Sequence, residues 1–134
     1  MRKKSRYSDW RDLMGAYGEI LQRPGPSIQP ESALPVPKAE LRDVMLKALG
    51  TDISDRERAG LEAGLLHLTQ FQPLTSLEKK AVRAFENPVD DVLASAAAIV
   101  SAGEAYQRLN KRIMAEVAEV QAAIEQASRH NQAI

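Results

Sequence analysis

The sequence predicts an all-α protein, a helical bundle of about five helices with a long C-terminal helix. Three observations carry that expectation. The apolar stock is 20 Ala and 14 Leu against 15 Ile plus Val, and Ala and Leu lead the helix scale whereas β-branched residues suit strands. Cap signals stand at the boundaries of apolar stretches of helical period. Finally, no proline interrupts the stretch from Val89 to Arg129.

Ser8 or Asp9 can cap a first helix to about Leu21, in which Trp10, Leu13, Met14, Tyr17, Ile20 and Leu21 form one apolar face. Residues 23–37 hold five of the seven prolines, which forbid helix and favour extended backbone. They read as a linker or strap between residues 1–22, a basic arm with its amphipathic helix, and a helical domain over 38–134.

Leu41, Val44, Met45, Ala48 and Leu49 mark a helix that begins near Pro37 and ends at Gly50, expected as a left-handed C-cap. Ser54 and Glu57 form a capping box that opens a helix reaching about Phe71, and Pro73 marks its end. Thr75 and Glu78 repeat the device before a short helix, expected to carry Leu77, Ala81, Ala84 and Phe85 inward. Asn87 and Pro88 close it and open the last helix, where Asp90 and Asp91 complement the positive dipole end.

From about 88 to 130, Val92, Ile99, Tyr106, Ile113, Val120 and Ala127 recur every seven residues, with Val117 and Ile124 on the adjoining row. Such a helix is about 60 Å long, against a diameter of roughly 36 Å for a compact chain of this size. The helix overhangs its domain, so either it bends near Ser101 to Gly103 or a second subunit covers it. The second expectation is preferred. Val92, Ile99, Tyr106, Ile113, Val117, Val120 and Ile124 are then the self-association face of a homodimer or higher homo-oligomer. The row is not a strict coiled-coil seam, because Ser95 and Glu116 fall on its second apolar position.

Composition narrows the chemistry. Lys plus Arg and Asp plus Glu both number 18, so there is no basic excess for bulk nucleic-acid binding. With no Cys the chain has no disulfide, thiolate nucleophile or Cys-based metal site, and a reducing cytoplasm is the expected setting. Val92 to Gly103 is the longest uncharged apolar stretch, about 18 Å as a helix and too short to span a membrane. The basic start is followed by acidic and aromatic residues rather than an apolar signal region, so no secretion is expected.

No phosphate-binding glycine loop, nucleophile elbow or zincin spacing occurs. Neither an enzyme activity nor a cofactor is expected. Gly60, Gly64, His67 and Phe71 share one helix face and form a candidate groove, for which close helix packing is the simpler account. Lys79, Lys80 and Arg83, with the arm residues Arg2, Lys3, Lys4 and Arg6, are the candidate contacts of an alternative nucleic-acid-associated role. Glu78 and Glu86 flank the first three and weigh against it. The carboxylate pairs Asp90 with Asp91 and Glu116 with Glu119 have no Glu-x-x-His partner set for a di-iron site. The expected function is therefore self-association and contact with other proteins, with the first helix docking on its own subunit, on a second copy, or on a partner.

Overall fold

A computed structural model describes residues 9–23, 25, 27–86 and 96–132, with side chains for all of these but 85, 86, 96–99 and 130–132. The protein is all-α. Among the described residues there are five α helices: α1 (Trp10–Leu21), α2 (Lys38–Leu49), α3 (Asp55–Leu68), α4 (Ser76–Glu86) and α5 (Ala96–Gln132).

Local chemistry sets most of these boundaries. Asp9 caps α1 by accepting from the amides of Arg11 (2.7 Å) and Asp12 (3.2 Å). In α3 the Glu57 amide donates to Ser54 Oγ (3.1 Å) while the Ser54 amide donates to the Glu57 carboxylate (3.2 Å), so two orphan donors are satisfied together. Thr75 and Glu78 make the same exchange at 3.1 Å in both directions.

Three expectations are corrected. Gly50 does close α2, but at φ −81°. The last turn ends instead through right-handed bonds from the Gly50 and Thr51 amides to Lys47 and Ala48 carbonyls, both 3.1 Å. Helix α3 stops at Leu68, and Phe71–Gln72 form a short strand, β2. It pairs in parallel with β1 (Gln29–Pro30), Gln29 opposite Phe71. The proline-rich stretch is consequently part of the core: Ile28 is buried, and Leu34 and Val36 pack against the main cluster. On α4, Leu77 is exposed, and among the described residues the inward ones are Glu78, Ala81 and Val82, the Phe85 side chain lying outside them. Glu78 must face inward to meet Arg112, which turns Leu77 outward.

The core has two parts. The larger cluster gathers Leu13 and Tyr17 of α1, Leu41, Met45 and Leu49 of α2, Leu61, Leu65 and Leu68 of α3, Phe71, and Val120 of α5. The smaller holds Ile28, Val82, Leu109 and Ile113. Helix α5 runs unbroken through Gly103, about 55 Å at 1.5 Å per residue. Its C-terminal half completes the base made by α1 to α3, and its N-terminal half forms an arm with α4.

Helix α1 docks on its own subunit, parallel to α3. Arg11 pairs with Glu57 at 2.9 Å, and Tyr17 Oη donates to the Gly64 carbonyl at 2.8 Å. Gly64 permits this approach: a Cβ there would lie 2.8 Å from Met45 Cε, 3.4 Å from Met14 Cε and 3.5 Å from the Tyr17 ring. The tightest neighbour is the mobile end of a methionine. Gly64→Ala is therefore expected to stay within about 1 kcal/mol of wild type, its clash offset by helix propensity. Gly64→Leu overfills the contact and is expected to cost about 3 kcal/mol. Urea unfolding of both variants tests this, and equal costs would contradict it.

Candidate functional site

The candidate groove lies along the side of α3 that α1 covers. Gly60, Gly64 and His67 line a cleft of about 270 Å³ with Met14, Tyr17 and Gly18. His67 and Phe71 line a second of about 120 Å³ with Arg23, Ser27 and Gln29. His67 also edges a cleft of about 670 Å³ between α3 and α5. The exposed imidazole thus stands where three clefts meet, in the last turn of α3, where the dipole is negative. Among the described residues no Asp or Glu lines any of the three. Among the described residues no group of three or more His, Asp or Glu is placed to hold a metal ion.

The row expected to meet a second subunit is largely spent within the chain. Ile113 and Val120 are 4% and 3% exposed. Val117 and Tyr106 pack on the smaller cluster and Ile124 on the larger. The chain folds α2, α3 and α4 back onto α5, so the described part of this row is packed within the subunit, with Tyr106, Val117 and Ile124 only partly buried. Val92 and the Ile99 side chain lie outside the described residues, as do Arg2, Lys3, Lys4 and Arg6.

Between the two clusters runs a chain of charged and polar side chains that the sequence reading did not assemble. Glu116, on α5, accepts from Lys38 Nζ (2.7 Å), Arg42 Nη2 (2.8 Å) and Gln72 Nε2 (3.1 Å). Lys38 Nζ also donates to the Phe71 carbonyl at 2.6 Å. One turn earlier, Arg112 grips both oxygens of Glu78, at 2.9 and 3.3 Å, and donates to the Pro73 carbonyl at 3.3 Å. Its Nε reaches Gln72 Oε1 at 3.4 Å. Burial pushes the Glu78 carboxyl up, but the Thr75 amide and the Arg112 guanidinium outweigh it and hold its pKa below the usual carboxylate value. The available signal was Glu116 itself, the charge on a largely apolar row.

On the arm, Lys79, Lys80 and Arg83 are exposed on α4. Glu78, expected beside them as a flanking acid, is turned inward to Arg112. Among the described residues no helix is long and apolar enough to cross a membrane. No protein-family model, curated protein or solved structure matches the chain, so a reading of its function has only this geometry to rest on.

Proposed function

We propose that the protein acts without catalysis, through contact between proteins, and that the α4–α5 arm is the surface it uses to associate with a second copy of itself. The observation that carries this reading is the position of the exposed apolar side chains. Leu77, Val100 and Met114 are 43%, 61% and 65% exposed, and they are the large hydrophobic side chains left exposed among the described residues. All three belong to the arm. Single exposed hydrophobes are ordinary, but here the base leaves none. Val100 and Met114 are two heptads apart, on the side of α5 turned away from α4 and about 21 Å apart along the helix.

Light scattering after size exclusion, over a hundredfold dilution, tests the proposal with wild type and the Val100→Glu/Met114→Glu variant. The expected result is a wild-type mass at a multiple of 14.8 kDa and a variant that stays at the chain mass. Both positions are exposed, so the fold itself should be little affected. A wild type that is monomeric throughout, or a variant that assembles equally well, would overturn the reading. A nucleic-acid-associated role has the three exposed cations of α4 in its favour. Duplex binding that weakens steeply with salt and is lost on replacing Lys79, Lys80 and Arg83 by Glu would support it instead.

A further inference from the structure

We propose that α4 is a releasable lid over an apolar strip of α5, with the Glu78–Arg112 pair as its latch. The strip comprises Ala105, Leu109 and Ile113, all buried, with Tyr106 beside them. Among the described residues of α4, Ala81 and Val82 cover it. Val82 belongs to the smaller cluster, and no described α4 residue enters the larger one. The described side chains of the lid can therefore leave α5 without unpacking α1, α2 or α3, with Ile28 losing Val82 as a neighbour.

The boundary between the clusters favours opening at one place. The groups there are polar, and they divide into two sets joined through Gln72. Glu116 with Lys38 and Arg42 ties α5 to the base, whereas Arg112 with Glu78 ties α5 to the lid. Separating Glu78 from Arg112 removes this polar tie to α4 and leaves the Glu116 set in place. Glu78 also closes the capping box with Thr75, so the residue that latches the lid also starts its helix.

The lid helix itself has little intrinsic stability. It is 11 residues long, and isolated helices below about 12–15 residues are marginal in water. Lys79 and Arg83 add a like-charge repulsion at i, i+4. Helix α4 is held by what it packs on, which is the property a lid requires.

Native-state hydrogen exchange of the full chain in rising, sub-denaturing guanidinium tests the proposal. In wild type, the amides of residues 80–84 are expected to exchange through openings about tenfold or more frequent than those around Met45 and Leu65. Arg112→Gln removes a two-pronged charged hydrogen bond and is expected to speed lid exchange by about 10- to 100-fold. Arg112→Lys, which keeps the charge but loses the fork, should fall between wild type and Arg112→Gln. Leu41→Val, which loosens the base, should speed exchange in α2 and α3 and leave the lid amides within about twofold of wild type, because lid opening keeps the base packed. If lid and base exchange at one common rate in wild type, or if Leu41→Val speeds both equally, α4 is not a separate lid.

Discussion

Replacing Glu116 by Leu is expected to lower stability by about 3–5 kcal/mol, because it takes the close carboxylate from the buried Lys38 ammonium and the ion pair from the partly exposed Arg42. Lys38 has a side chain only 8% exposed, and Glu116 is its close carboxylate, Glu31 standing 4.0 Å away. Arg42 and the Gln72 amide lose the same acceptor. The polar group most needed to hold α5 against the base would be gone. Adding Lys38→Met in the Glu116→Leu background should restore part of the loss, since the stranded ammonium is then absent. Urea unfolding followed by circular dichroism reads both effects. A cost below about 1 kcal/mol for Glu116→Leu would mean that these charges remain hydrated, as in a surface pair.

Tyr17→Ala is expected to cost about 3–5 kcal/mol, the range for deleting a buried aromatic ring. Tyr17 is fully buried. Its ring lies 6.1 Å from that of Phe71 at 59°, and burial raises its hydroxyl pKa well above the usual value. The hydroxyl stays protonated and donates to Gly64. Tyr17→Phe should cost only about 1 kcal/mol, the net value of one such bond. Because the larger cluster contains only Leu13 and Tyr17 of α1 as fully covered residues, the Ala variant should also free α1. Limited proteolysis reads this as new cleavage within residues 10–21. A variant as stable and as resistant as wild type would show that α1 contributes little to the core.

Helix starts were legible because they are set within four residues. Asp9, the Ser54–Glu57 box and the Thr75–Glu78 box each satisfy amides of their own first turn, and no distant part of the chain alters that. Helix faces were less legible. The inward side of α4 was read from its apolar residues, yet pairing with Arg112, 34 residues away, brought Glu78 inside. The proline-rich stretch forms no α-helix over its described residues, although Glu31–Ala33 make one 3-10 turn, and its pairing with Phe71 and Gln72 depends on where α3 ends. Of the candidate residues, Gly60, Gly64, His67 and Phe71 do line one side of α3 and its continuation. That α1 lies over them was one of several arrangements the sequence allowed.

The sequence by itself determined that this protein is helical, where most of its helices begin, and that its last helix is long. Those properties follow from propensity, capping and period, which act over a few residues. Only the tertiary structure decided what covers α5 and what answers its buried charge. A seven-residue apolar row has the same period whether its neighbour is the same chain or another one. Likewise Glu116 meets Lys38, Arg42 and Gln72 across 78, 74 and 44 residues, contacts that exist only once α2 and β2 have folded back onto the long helix.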